Sequence, residues 1–149
     1  MDCITKKITA LKKIQDKMNE NIVKVMLNFK YIIIDMNVSQ LDEQGVLSTG
    51  VEIASYAPYA PMTIEYKQTF GSGYGAVTSH VTLHDTGAFH SSFTLEKEGA
   101  GVKLWATDSK TEELAYGYGE AIFGVTPEHM EEIKLHIVYP YLQALISKV

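Results

Sequence analysis

The sequence predicts an α+β domain: a small antiparallel sheet with flanking helices, a long N-terminal helix and an apolar C-terminal helix. Three observations carry this expectation. Residues 3–28 contain no Gly or Pro and space their apolar residues alternately by four and three. The segments SSFTLEKE and GVKLWAT alternate apolar with polar residues on either side of Glu98–Gly101, whose EGAG sequence is hairpin chemistry. TPEHMEEI then opens a last helix, with Thr126 as cap, Pro127 at the first helical position and Glu128 and Glu131 complementing the dipole. The order helix, strand, loops, hairpin, helix, helix fits one domain over residues 1–149, divided into the helix 1–28 and an α+β body 29–149.

The first helix carries the stripe Ile4, Ile8, Leu11, Gln15, Met18, Ile22, Val25 and Phe29, a seven-residue repeat with one polar interruption. Ile14 and Leu27 widen it, which also suits packing on the chain's own body. Tyr31–Met36 is apolar and β-branched and predicts a buried strand. Val38–Glu43 suits a helical turn, and Gly45 and Gly50 open a loop. Pro61 predicts the first turn of a helix through MTIEYKQTF. GSGYGAVTSH reads as a flexible glycine-rich loop, with Tyr74, Tyr56, Tyr59 and Phe70 as candidate contact aromatics. After the hairpin, DSKTEELAYGYG predicts a short helix capped by Asp108 or Ser109 and stopped at Gly117 or Gly119. Pro140 is expected to bend the last helix near Tyr139. That helix spreads Met130, Ile133, Leu135, Ile137, Val138, Leu142, Leu145 and Ile146 over more than one face, as a core or interface element would.

Composition narrows the function. With 46% hydrophobic and 21% charged residues the chain can bury a core. No apolar run approaches the roughly 18–20 residues of a membrane span, and the N-terminus lacks a secretory h-region, so no membrane partner is expected. The single cysteine, Cys3, forms no internal disulfide and reads as a reduced thiol. There is no arginine, the preferred fork for phosphate and guanine, which argues against specific nucleic-acid reading. Charge is polarised: residues 1–30 carry seven Lys against Asp2, Asp16 and Glu20 (net +4), while residues 31–149 carry six Lys against fifteen acids (net −9). A basic end and an acidic body suit head-to-tail association of copies.

The densest chemistry lies in VTLHDTGAFHSSF, residues 81–93. Asp85-Thr86-Gly87 spells the aspartic-protease tripeptide, and Ile122-Phe123-Gly124 mimics the companion segment of those enzymes. A chain of this size would need a homodimer to bring two carboxylates within about 3 Å. It lacks the expected series of strands, and His84 stands where an apolar support belongs. A metal reading of His80 and His84, with Asp85 and His90 close in sequence, meets the strand period: at roughly 3.3 Å per residue His80 and His84 sit about 13 Å apart and cannot grip one ion, so no metal is expected. No Gly-x-Ser-x-Gly elbow marks a hydrolase, and GSGYGA lacks the Lys-Ser/Thr of a phosphate loop, so no cofactor is expected. What remains is a structural turn. Asp85 or Thr86 caps a helical turn Ala88–Ser91, Gly87 takes the turn conformation, and Phe89 and Phe93 point inward.

VTLHDTGAFHSSFTL followed by a hairpin and a TD…YG segment resembles the Asp-Thr-Gly-x-Leu/Phe-x-x-Ser pattern of small tail-completion and head–tail joining (neck) proteins of tailed bacteriophages. The matching positions are Asp85, Thr86, Gly87, Phe89 and Ser92, and the pattern is broken by His84 and His90. Over about residues 35–133 the string is also similar to hypothetical proteins of gut-bacterial phages, through DMNVSQL, SYAPYAPMTIEYK and TDSKTEELAYGYGEAIFGVTPEHMEEI. The resemblance implies a non-enzymatic virion component, assembled in the host bacterial cytoplasm. It implies a homo-oligomer, often a ring, that contacts portal or adaptor and tail-tube proteins.

The residues expected to carry such contacts are Ile8, Leu11, Met18, Ile22 and Val25 of the first helix and Ile137 and Leu142 of the last. The alternatives are a homodimeric aspartic-type peptidase using Asp85, a small binding module of unknown ligand, and a bacterial toxin or immunity protein, for which no residue speaks.

Overall fold

A computed structural model describes residues 2–149. It is an α+β fold, mostly helical, with one two-stranded antiparallel sheet and flanking helices.

The N-terminal region forms two helices rather than one: α1 (Cys3–Asp16) and α2 (Met18–Asn28), broken at Lys17 (φ −104°, ψ 18°). Asp2 caps α1, its carboxylate accepting from Thr5 N at 2.6 Å. The break divides the apolar stripe by what it touches. The second half lies on the hairpin and buries Val23 and Val25, whereas α1 touches mainly α2 and α8 and buries none of its residues.

The expected strand Tyr31–Met36 is instead α3 (Lys30–Ser39), which runs into a single π-turn, Gln40–Gln44, closed by Gly45. An apolar run of six residues fits either a buried strand or a helix, so flanking residues decide. Ile33, Asn37, Gln40 and Leu41, all within 1% of fully buried, are spaced by four, three and one, which is one helical face. On a strand Asn37 and Gln40 would point to opposite sides. On the helix they grip the same passing segment: Asn37 Nδ2 donates to Ile122 O (3.0 Å), Asn37 Oδ1 accepts from Gly124 N (2.8 Å), and Gln40 Oε1 accepts from Thr126 N (3.0 Å).

Pro61 starts α4 (Pro61–Phe70) as expected. The glycine-rich stretch is not an open loop. It makes a 3-10 turn, Gly73–Ala76, and two of its glycines permit close backbone approach: a Cβ on Gly71 would lie 2.4 Å from Lys67 O, and one on Gly75 2.5 Å from Asp85 O. The turn after it matches expectation except at its cap, which is Gly87 with no side-chain hydrogen bond rather than Asp85 or Thr86. Gly87 has φ +91°, α5 (Ala88–Ser91) is one helical turn, and Phe89 and Phe93 are buried with ring centroids 5.0 Å apart, edge to face.

The hairpin pairs β1 (Phe93–Glu98) with β2 (Gly101–Ala106), Phe93 opposite Ala106 and Glu98 opposite Gly101. Next comes α6 (Thr111–Tyr118), ended by Gly119. Asp108 Oδ2 accepts from Lys110 N just before it. Thr126 caps α7 (Pro127–Ile133), its hydroxyl accepting from His129 N. A second π-turn, Lys134–Val138, separates α7 from α8 (Tyr139–Ser147). Pro140 explains it: the ring removes an amide and collides with the preceding turn, and the wider π-turn absorbs the mismatch. Two hydrophobic clusters result. One gathers Leu41, Leu47, Ile53, Phe89, Phe93 and Phe123; the other gathers Val25, Ile33, Leu95, Ile133, Ile137 and Val138.

Among the described residues no helix is long and apolar enough to cross a membrane.

Candidate functional site

Three segments distant in sequence meet at one point. The π-turn after α3 supplies Asp42, the extended segment before the Asp-Thr-Gly turn supplies His84, and α5 supplies His90. Asp42 Oδ1 stands 3.1 Å from His84 Nδ1 and 3.3 Å from His90 Nε2. The imidazole rings of the two histidines lie 4.8 Å apart between centroids. The side chains of Asp42 and His90 are 7% and 4% exposed, while that of His84 is 19% exposed.

The local backbone explains why these groups converge. A π-turn carries one residue more per turn than an α-helix, which turns Asp42 inward next to the buried Leu41. Leu83 adopts φ +59°, a region few non-glycine residues visit, and so redirects the chain at His84. Neighbours hold that direction. His84 N donates to Thr82 Oγ1 (3.1 Å), and Thr82 N in turn donates to the Tyr59 hydroxyl (3.0 Å). Lys67, almost fully buried, donates from Nζ to His84 O (2.5 Å) and to Gly75 O (3.1 Å), and its ammonium stands 4.9 Å from the centre of the Tyr59 ring. His80 Nε2 lies 2.6 Å from Asp42 O. A carbonyl can only accept, so Nε2 carries the proton and Nδ1 accepts from Ser79 Oγ at 3.1 Å.

Electrostatics follow from burial. Burial pushes the Asp42 carboxyl above the usual carboxylate range, against the opposing pull of His84. Burial, reinforced by the charge of His84, holds the His90 imidazole down to about 4, so it is neutral at pH 7. Among the described residues both ring nitrogens of His90 are buried without a hydrogen-bond partner of good geometry, although the backbone of Thr82 is close enough to favour the protonated ring slightly.

His84 is also the edge of a cleft of about 330 Å³, whose walls include Tyr59, Lys67, Asp85, Lys110 and Tyr118. That volume is at the lower end for small-molecule sites.

No protein-family model, curated protein or solved structure matches this chain.

The residues singled out from sequence separate into two groups. The turn residues meet: Thr86 Oγ1 accepts from Ala88 N (3.3 Å), and Ser92 Oγ donates to Phe89 O (2.8 Å) and accepts from Asp108 N (3.0 Å), tying the turn to the end of β2. Asp85 caps no helix. It is exposed and faces Lys110, with Oδ2 3.5 Å from Nζ. The contact residues are scattered. Ile8 and Leu11 are 48% and 42% exposed, Met18, Ile22 and Leu142 are half-buried, and Val25 and Ile137 belong to this chain's own core. Those last two positions therefore offer a partner no surface, because α2 and the α7–α8 junction pack on each other and on the hairpin.

Of the buried cluster, the histidines stand out in the sequence, but there the His80–His84 spacing decides their reading and sets aside His90. Asp42 lies 42 positions before His84, and no spacing rule links them. The one legible hint was the break from the phage pattern at His84 and His90, the two histidines that meet.

Proposed function

We propose that this protein is a self-associating structural component of a bacteriophage neck or tail, assembled in the bacterial cytoplasm and carried in the virion. In this reading it is not an enzyme. It acts by surface complementarity with further copies of itself and with portal, adaptor or tail-tube proteins.

The observation that supports this best is α1. The helix buries none of its residues, and Ile4, Ile8 and Leu11 leave a row of large apolar side chains in water, 69%, 48% and 42% exposed. Lysines 6, 7, 12, 13 and 17 surround that row, so a receiving surface that is both apolar and acidic would suit it. A head-to-tail ring needs two different patches per copy. An apolar second patch lies on α4, where Met62, Tyr66 and Phe70 repeat at intervals of four and are 80%, 51% and 74% exposed, with Glu65 its one acid. The resemblance of Asp85, Thr86, Gly87, Phe89 and Ser92 to the neck-protein pattern gives the reading its biological setting.

The test is the size of the particle in solution. Light scattering and negative-stain electron microscopy of the purified protein are expected to show a closed oligomer. Ile8→Asp on α1 and Met62→Asp on α4 are each expected to shift it to monomer without loss of folding, because neither residue is buried. Ile22→Asp is a poorer probe, since Ile22 packs against the core. A monomeric parent at high micromolar concentration, or an oligomer unaffected by both variants, would overturn the reading.

A further inference from the structure

We propose that Asp42 Oδ1, His84 Nδ1 and His90 Nε2 bind one divalent transition-metal ion, Zn²⁺ or a close neighbour in its series. Two imidazole nitrogens and one carboxylate oxygen are the donor set such ions prefer, whereas Ca²⁺ and Mg²⁺ need a mostly oxygen shell.

The distances fit. Bonds of about 2.0–2.2 Å in a tetrahedral arrangement place neighbouring ligand atoms about 3.3–3.6 Å apart. Asp42 Oδ1 is 3.1 Å from one imidazole nitrogen and 3.3 Å from the other, and all three atoms lie within 4.8 Å of one another.

An independent observation points the same way. The His90 side chain is 96% buried, yet among the described residues neither ring nitrogen has a hydrogen-bond partner of good geometry; the Thr82 backbone makes at most a weak contact with the ring. Nε2 is close to Asp42 Oδ1 but is not aligned to donate to it. Leaving a buried imidazole nitrogen unpaired is costly and uncommon. A metal ion in the space between the three ligands would satisfy it.

The surroundings are those of a prepared site. His80 holds the carbonyl of Asp42, and Lys67 holds the carbonyl of His84, so two of the three ligand-bearing residues are fixed from behind. His84, the one partly exposed ligand, borders the cleft and is the side from which an ion would enter; Asp42 and His90 lie behind it. The ligands come from three segments, so the ion would bind the folded chain and not the unfolded one, and would staple the π-turn to the loop and to α5.

The experiment uses the full chain after chelator treatment. Calorimetric titration with Zn²⁺ is expected to give one ion per chain, and Co²⁺ the visible absorption of a four-coordinate N/O site. Thermal unfolding is expected to rise by roughly 5–10 °C at free Zn²⁺ about 100 times Kd. Asp42→Asn and His84→Gln should weaken binding by more than the roughly 10–100-fold that follows loss of a group behind a ligand. Cys3→Ser and His136→Gln, both at exposed positions outside the cluster, should bind as the parent does. Should the cluster variants misfold, ¹⁵N imidazole NMR of the parent decides: Zn²⁺ must move His84 Nδ1 and His90 Nε2 to the metal-bound range. No stoichiometric binding, binding that survives Asp42→Asn, binding lost in Cys3→Ser, or imidazole signals indifferent to Zn²⁺ would each overturn the proposal and leave a hydrogen-bonded Asp–His pair.

Discussion

Lys67 Nζ lies 2.5 Å from the backbone oxygen of His84, inside the protein, with no carboxylate in salt-bridge range among the described residues. Its charge is met by two carbonyls and the face of Tyr59. The ammonium thereby clamps the glycine turn to the segment that presents His84. Lys67→Met keeps the length of the side chain but leaves both carbonyls unpaired. It is expected to cost about 2–4 kcal/mol in urea denaturation. An unchanged midpoint would mean that these segments are held by packing alone.

The carboxamide of Asn37 answers one donor and one acceptor of the segment 122–124. Asn37→Ala removes both partners at a site with no exposed surface, and a loss of about 2–4 kcal/mol is expected by the same measurement. Asn37→Asp should be comparably harmful, since a carboxylate cannot donate to Ile122 O. A variant as stable as the parent would show that water replaces the amide without penalty.

Glycine substitutions should diverge by position. Gly75→Ala would place Cβ 2.5 Å from Asp85 O, which forces the backbone to move, and a loss of about 1–3 kcal/mol is expected. Gly117→Ala, inside α6 with nothing within 4 Å, should gain about 0.5–1 kcal/mol. Equal effects of the two changes would contradict the close contact assigned to Gly75.

Acid should destabilise the metal-free protein through His90. Its folded value, about 4, lies below the ordinary 6.5 of a histidine. The stability this group contributes is therefore intact above pH 6.5 and is lost as pH falls from 6.5 towards 4, because the unfolded chain takes up the proton first. The loss is on the order of 3 kcal/mol. Asp42 acts in the opposite sense, its raised carboxyl easing the folded state's neutralisation as pH drops; His84 and Lys67 are the other charged groups that bear on His90. Urea denaturation across this range in the presence of chelator measures the net slope, and His90→Gln should flatten it. A His90→Gln variant whose slope between pH 6.5 and 4.5 equals the parent's would contradict the burial assigned to this imidazole.

How much of this was legible depended on the range of the signal. Local chemistry read correctly: Thr126 and Pro127 at the start of α7, Pro61 at the start of α4, Gly87 in its turn, and the hairpin at Glu98–Gly101. Tyr31–Met36 was misread because β-branched runs suit a buried helix as well as a strand, and the deciding partners of Asn37 lie 85 and 87 positions away. The glycine stretch was misread because glycine serves close approach as readily as freedom, and only the carbonyl of Asp85 distinguishes the two. The candidate site was illegible for the same reason. Asp42 meets His84 through a π-turn and a left-handed Leu83, neither of which has a reliable sequence signature.

The strand β1 has a consequence for how the molecule comes apart. Phe93 and Leu95 stand on one side of that strand, two residues apart, yet they anchor different hydrophobic clusters. Loosening the hairpin would disturb both clusters at once. The body should therefore unfold as one cooperative unit, its two halves sharing a single melting temperature.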